Sequence, residues 1–155
     1  MKRMSSYLVA ALCLFASCEE APTEIIDNSP KYKGEMTVVY DGKDFKQEGI
    51  NVQVEFNEEQ TSVDIKLHKV KFVPAMPVTI DVTILDVPAV KADDGTWSFY
   101  GDGITPWAMG GPYENYRADQ FSGTIKGSVL EFSLDFCNVK KEENYPTTYT
   151  GSLTK

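Results

Sequence analysis

The side chains that most often carry out catalysis are scarce in this 155-residue chain. Its only histidine is His68, which follows Asp64 and Lys66 at alternate positions of the run 63–68. Alternate residues of a strand share one face, so His68 is predicted to lie with these charges on an outer face. A Ser/His/Asp triad needs its histidine buried beside a nucleophile. We therefore predict that His68 has a structural role.

The one cysteine in the body of the chain, Cys137, shares the parity of Ser133 and Asp135, opposite to that of Phe132 and Phe136. A nucleophilic thiol needs a base nearby, and no motif around this position supplies one. We predict an unreactive thiol on or just under the surface.

Carboxylates cluster at positions 41–44 and 93–94, but neither cluster has the alternating Asx, Gly and Glu pattern of a calcium loop. One histidine and so few cysteines cannot build a typical zinc site. Glu131 and Asp135 fall on an outward face and are predicted to be solvent-exposed charges. The distance between two carboxylates, on which a glycosidase site depends, cannot be derived from sequence. We expect no catalytic residues, no metal site and no cofactor, and so a protein that is not an enzyme.

The N-terminal residues have the pattern of a targeting signal. A basic start, Lys2 and Arg3, precedes a ten-residue apolar run at 7–16, which is too short for a membrane-spanning helix and suits a signal peptide. The ending Phe15-Ala16-Ser17-Cys18 resembles the lipobox of bacterial lipoproteins, in which the cysteine is acylated, for example with palmitate, and becomes the new N-terminus. Residues 1–17 are predicted to be a lipoprotein signal peptide and 18–30 a lipid anchor and flexible tether. Simple secretion and an uncleaved anchor are the alternatives.

The charge of the chain limits its partners. The formal net charge is −8, and cleavage would remove the two positive charges of Lys2 and Arg3. A strongly acidic surface disfavours nucleic acid and anionic membranes as partners. We therefore expect no nucleic-acid partner and a membrane contact made only through lipid on Cys18. With Cys13 in the signal peptide and Cys18 lipidated, Cys137 has no partner for an intramolecular disulfide.

Hydrophobic residues recur with a period of two from residue 31 onward, which is typical of strands with one buried and one solvated face. The clearest runs are 50–56, 63–68, 78–84 and 130–136, and weaker ones are 32–40, 96–100, 116–126 and 145–153. Short turn signals such as Asp41-Gly42 and Lys126-Gly127 separate most neighbours. The pattern predicts an all-β domain over 31–155, an eight-stranded up-and-down antiparallel barrel rather than a sandwich.

Two stretches interrupt this pattern. Within 69–77 the apolar residues Val70 and Phe72 take the parity of His68, and Pro74 and Pro77 then end the strand pattern. This predicts a bulge and a bend. At 101–116 the sequence GDGITPWAMGGPYENY forms a connection of about fifteen residues. It is not a phosphate loop, because no helix follows and the next basic residue is Arg117. Its apolar residues are expected to fold back over one end of the barrel.

Several segments resemble the calycin-like lipoproteins of Bacteroidetes: the lipobox, MPVTIDV at 76–82, the Trp107 to Tyr113 stretch, GTIKGSVLEFSLDF at 123–136 and YPTTYTG at 145–151. The resemblance covers 31–155 and implies a lipocalin-like barrel on a lipid anchor, with binding of a small molecule or lipid. It also implies a location in the Gram-negative cell envelope, at the outer membrane. Where classical lipocalins carry Gly-x-Trp, this chain has Lys33-Gly34-Glu35.

The inward-facing residues are bulky, which predicts a mostly filled barrel with a shallow pocket at one mouth. Aromatic and methionine side chains suit a small apolar or glycan-type ligand. The candidate lining residues are those that break the alternation near the long loops: Phe72, Met76, Trp97, Trp107, Met109 and Tyr113. The alternative is that these side chains plug the barrel end. The protein would then be a structural or interaction subunit that binds a protein or glycan partner through its surface and loops.

Overall fold

A computed structural model describes residues 29–155, and within that range every regular element is a β-strand. The predicted signal peptide, Cys18 and the tether up to residue 28 lie outside the described residues. The strands are β1 (Lys31–Tyr40), β2 (Lys43–Phe56), β3 (Ser62–Val70), β4 (Ile80–Lys91), β5 (Trp97–Gly101), β6 (Trp107–Ala108), β7 (Gly111–Pro112), β8 (Tyr116–Lys126), β9 (Val129–Asn138) and β10 (Glu143–Leu153).

Eight of these strands form the wall of a closed antiparallel barrel. The order around the wall is β1, β2, β3, β4, β5, β8, β9 and β10, so successive wall strands pair as antiparallel neighbours. The last strand, β10, pairs with β1 from Tyr32 opposite Leu153 to Val38 opposite Thr147, which closes the ring. Closure pairs both edges of every long strand in the described part of the chain. The predicted eight-stranded up-and-down barrel is confirmed.

The connections divide the barrel into two ends, named here after a residue found at each. The Trp97 end carries the β2–β3, β4–β5 and β8–β9 turns. The chain also enters there, since the backbone oxygen of Pro30 accepts a hydrogen bond from the Val54 nitrogen at 3.1 Å. The Phe72 end carries the β1–β2 and β9–β10 turns and the segment 71–79.

The middle of the barrel is filled by side chains. Phe121 stacks on Phe132 with ring centroids 5.2 Å apart, and Phe132 stacks on Tyr149 at 5.1 Å. Fully buried aliphatic residues surround these rings: Met36, Val38, Val52, Val54, Ile65, Leu67, Ile84 and Leu130. Within residues 29–155 the interior is therefore a packed core without a deep calyx, as the bulky inward residues predict.

The Tyr149 ring lies against a position that has no side chain. A Cβ added to Gly151 would overlap the Tyr149 hydroxyl, and one added to Gly34 would overlap the backbone oxygen of Thr150. Glycine is the one residue without a Cβ, so these two positions let β1, β10 and the tyrosine ring approach closely.

The β3–β4 connection begins with the predicted irregularity. Lys69 has a φ of 55°, and the β3–β4 register shifts between Leu67 and Val70, which is a bulge. The Gln47 side chain then binds the backbone of Lys71 twice, as donor and as acceptor, at 2.9 Å each. The prediction that Val78 belongs to the inward alternation of a strand at 78–84 is wrong. Strand β4 begins only at Ile80, and Val78 is 61 % exposed.

The long connection after β5 forms part of the barrel wall. Strand β5 is short and pairs with β4 only at Ala89–Lys91. On the side of β5 toward the Phe72 end, Ile104 pairs with Ala118 of β8, and Ala108 pairs with Val82 of β4. The β6–β7 hairpin and Ile104 thus fill the gap in the wall that β5 leaves. The expectation that this segment folds over the barrel end is corrected for Ile104, Trp107 and Ala108, because the backbones of β8 and β4 pair with these residues along the wall.

Candidate functional site

An open depression of about 630 Å³ occupies the mouth of the barrel at the Trp97 end. The last inward-facing side chains of five wall strands line it, together with residues 94–96 of the β4–β5 turn and residues 126–127, where β8 ends. These inward side chains are Tyr32, Phe56, Lys91, Trp97 and Ile125. The volume falls in the range of small-molecule pockets, which is about 300–1,000 Å³.

Two aromatic residues form the floor of this mouth. Phe56 ends β2 and Trp97 begins β5, strands that lie apart in the ring, yet the ring centroids are only 4.4 Å apart. Phe99 packs below them, 6.3 Å from Phe56. The two side chains therefore meet across the interior and separate the mouth from the core. A ligand bound here would lie on the indole of Trp97 and would not enter the barrel.

Charged groups rim the aromatic floor. The ammonium of Lys91 lies 5.7 Å from the centroid of the Trp97 ring, within cation–π range. Lys126 contributes a second cation beside the turn. Asp94 accepts a hydrogen bond from the Thr96 nitrogen at 2.9 Å, and this bond, aided by Lys126, lowers the pKa of the Asp94 carboxyl.

Three of the predicted site residues lie at the opposite end and close it. Phe72 is fully buried, with its ring 4.2 Å from that of Phe136 and 4.7 Å from that of Tyr116. The sulfur of Met76 accepts a hydrogen bond from the Phe72 nitrogen at 3.1 Å. Tyr113 stacks on Tyr116 at 5.2 Å. These side chains plug this end of the barrel, which was the alternative to a ligand site for them.

Trp107 and Met109 lie on the outside of the wall. Trp107 pairs with Thr83 across β4 and β6, which places its side chain on the outer face beside Lys66 and Thr83. Its Nε1 is buried and has no hydrogen-bond partner among the described residues. Met109 has a φ of 53° at the hairpin tip and is 72 % exposed.

The six candidate residues therefore do not form one site. Trp97 alone lies at the open mouth, while Phe72, Met76 and Tyr113 close the other end. The neighbours of Trp97 at this mouth were not among the residues predicted from sequence; they are Tyr32, Phe56 and Lys91. A signal existed for Phe56, since it is the last inward position of the run 50–56, but nothing in the spacing pairs it with Trp97.

The potentially reactive groups elsewhere are engaged in structural contacts. His68 lies on the outer face, with Nε2 2.6 Å from Oε1 of Gln53 and Nδ1 3.6 Å from Oδ2 of Asp81. Burial lowers the pKa of His68, and this effect outweighs the attraction of Asp81. Cys137 is the only cysteine within residues 29–155 and is a buried free thiol. That same range contains no group of three or more metal-binding side chains.

Comparisons with protein-family models, with curated proteins and with solved structures find no match to this chain. The closed eight-stranded barrel is consistent with a calycin-like fold. Within residues 29–155, no helix has the length and apolar character needed to cross a bilayer.

Proposed function

We propose that this protein is a lipid-anchored, non-catalytic binding protein related to the calycin-like lipoproteins, and that it binds a small apolar or glycan-type ligand at the Trp97 mouth. The observation that carries the proposal is the open depression of about 630 Å³ at that mouth, floored by Phe56 and Trp97. The other end is closed by Phe72 and the middle is packed, so the Trp97 mouth is the end of the barrel at which we place the ligand.

The chemistry of the mouth supports an amphipathic ligand. Indole and phenyl faces bind the apolar side of a sugar ring or a short hydrocarbon. The Tyr32 hydroxyl and the Lys91 ammonium provide hydrogen-bonding groups nearby. A ligand with one apolar face and several polar groups would use both.

The anchor proposal rests on the lipobox at 15–18 and on where the chain enters the barrel. Residue 30 lies at the Trp97 end, and the stretch back to Cys18 reaches about 40 Å at most when fully extended. The protein would thus be held at the outer membrane of a Gram-negative envelope, with the mouth on the tethered side.

Metabolic labelling with radioactive palmitate tests the anchor. Cys18→Ala should remove both the label and the membrane association. Cys13→Ala is the matched control, because it alters another cysteine of the same segment and should remain labelled and membrane-bound. A Cys18→Ala protein that keeps its label would contradict the lipoprotein proposal.

Native mass spectrometry of the full chain, purified from its own host, tests the binding proposal. We expect a species heavier than the protein by a discrete small-molecule mass, which is lost on partial denaturation. Repeated spectra without any bound mass would contradict a ligand-binding function.

A second candidate function is favoured by an apolar patch outside the barrel. Val90 and Tyr100 are 69 % and 61 % exposed. Val90 pairs with Ser98, two residues before Tyr100, so both side chains lie on the outer face of β4 and β5. A surface of this kind suits a protein partner. Loss of a cross-linked partner in Tyr100→Ser, together with empty native spectra, would favour this interaction role.

A further inference from the structure

We propose that the Trp97 mouth selects an acidic sugar, meaning a sugar ring that carries a carboxylate, over neutral ligands. This inference rests on the proposed function and names its ligand class. It is carried by the arrangement of charge around the aromatic floor.

The mouth reverses the charge balance of the protein. The whole chain has a formal net charge of −8, yet the mouth is lined by two lysines, Lys91 and Lys126, and one carboxylate, Asp94. That carboxylate is held within its own turn by the Thr96 nitrogen. Among the described residues, neither lysine forms a salt bridge within 4.0 Å. Lys91 also faces the Trp97 ring and Lys126 acts on Asp94, and each ammonium retains donors for a ligand.

The position of Lys91 links the charge to the aromatic floor. Its ammonium lies over the Trp97 ring, 5.7 Å from the centroid, so a ligand that packs against the indole contacts this cation directly. A purely apolar ligand would remove water from the ammonium groups without replacing it, which costs free energy. A carboxylate on the sugar would compensate by forming charge-assisted hydrogen bonds.

The acidic sugar has two conceivable sources, a soluble saccharide or the head group of a glycolipid. The entry of the chain at the same end of the barrel would bring the mouth near the membrane if Cys18 is lipidated. The experiment therefore includes an arm for each source.

The test uses the full chain in phosphatidylcholine nanodiscs, labelled with 5-fluorotryptophan. The two tryptophans give two fluorine signals in NMR, assigned with Trp107→Phe. The probes are phenyl β-D-glucuronide and phenyl β-D-glucoside, which differ only at C6, a carboxylate in the first and a hydroxymethyl group in the second. We expect the glucuronide to shift the Trp97 signal at lower concentration, with a difference that shrinks as salt is added.

Lysine variants identify the selecting groups. Lys91→Gln and Lys126→Gln should each weaken glucuronide binding about threefold, and together about tenfold, and should weaken glucoside binding less. Lys140→Gln, in the turn between β9 and β10 at the opposite end, is the matched control and should change neither affinity. In the second arm the nanodisc contains a glucuronosyl diacylglycerol. A Trp97 shift that the glucuronide causes at lower concentration than the glucoside supports the inference with a soluble saccharide as the source. A shift caused by the glucuronosyl lipid supports it with a glycolipid as the source.

Equal affinity for the two probes would overturn the inference. An equal loss of affinity for both probes in the lysine variants would overturn it too. The proposed function would survive either result, because glucoside binding at Trp97 would remain. No Trp97 response in either arm would also overturn the inference, and the mass of a co-purified ligand would then decide the proposed function separately.

Discussion

The hydroxyl of Tyr149 donates a hydrogen bond to the backbone oxygen of Ile50 at 3.0 Å, inside the barrel and from β10 to β2. These strands are not neighbours, since β1 lies between them. The β1–β2 register shifts between Gly34 and Met36. The tyrosine therefore joins three strands where the ladder is irregular. Burial of this hydroxyl raises the pKa of Tyr149.

Tyr149→Phe should lower the free energy of unfolding by about 1–2 kcal/mol, because it leaves the buried Ile50 oxygen without this donor. Urea denaturation measures the change. Tyr100→Phe, which removes a hydroxyl from an exposed ring, is the control and should be close to neutral. Equal stability of both variants and the parent would show that the cross-barrel bond contributes nothing.

Gly34→Ala should destabilise the protein by about 3 kcal/mol or more, because its Cβ would overlap the Thr150 oxygen and force β1 away from β10. Gly111→Ala has open space around its Cβ and an ordinary φ, so it should be tolerated. Thermal unfolding of both variants tests the close approach. A Gly34→Ala protein as stable as Gly111→Ala would contradict it.

Phe72→Ala should lower the free energy of unfolding by about 3–5 kcal/mol, as expected for loss of a fully buried aromatic ring. Val78→Ala, in the same segment but exposed, should cost far less. If Phe72 closes the barrel end, ligand binding at the Trp97 mouth should persist in the Phe72→Ala protein under conditions where it remains folded. Loss of binding with unchanged stability would instead place Phe72 in the ligand site.

The stability of the protein should depend on the protonation of His68. The folded state lowers its pKa below the ordinary value of 6.5 through burial, against the pull of Asp81 and with help from Lys66 and Lys31. The unfolded chain then binds the proton more readily, so the free energy of unfolding should fall as the pH drops from about 7.5 to about 5.5.

His68 is the only histidine, so His68→Gln should flatten this part of the pH profile. Urea denaturation at a series of pH values gives the slopes for both proteins. The assignment fails if the variant keeps the slope of the parent, or if the parent becomes more stable as the pH falls.

Much of the fold follows from residue alternation, because a strand with one buried face requires a period of two. The runs at 50–56, 63–68 and 130–136 each lie within a wall strand. The error at Val78 has a local cause. Pro77 cannot donate to a ladder, and the strand forms only after the chain has left the bend.

The candidate site could be predicted less well, because its contacts join distant parts of the chain. The aromatic residues of the 101–116 connection indicate burial but not which surface covers them. Backbone pairing with β4 placed Trp107 outside the wall. The meeting of Phe56 with Trp97 depends on barrel closure, which brings opposite strands within reach and leaves no trace in local spacing.

The central claim is that a ligand binds at the Trp97 mouth, and the two fluorotryptophan signals test it most directly. The full chain in nanodiscs would be titrated with a chloroform–methanol extract of the host cell envelope and, separately, with its water-soluble saccharides. The account predicts that one fraction shifts or broadens the Trp97 signal, identified by its absence in Trp97→Phe, while the Trp107 signal stays unchanged. A response confined to Trp107, or no response at Trp97 from protein freed of any bound mass, would contradict ligand binding at this mouth.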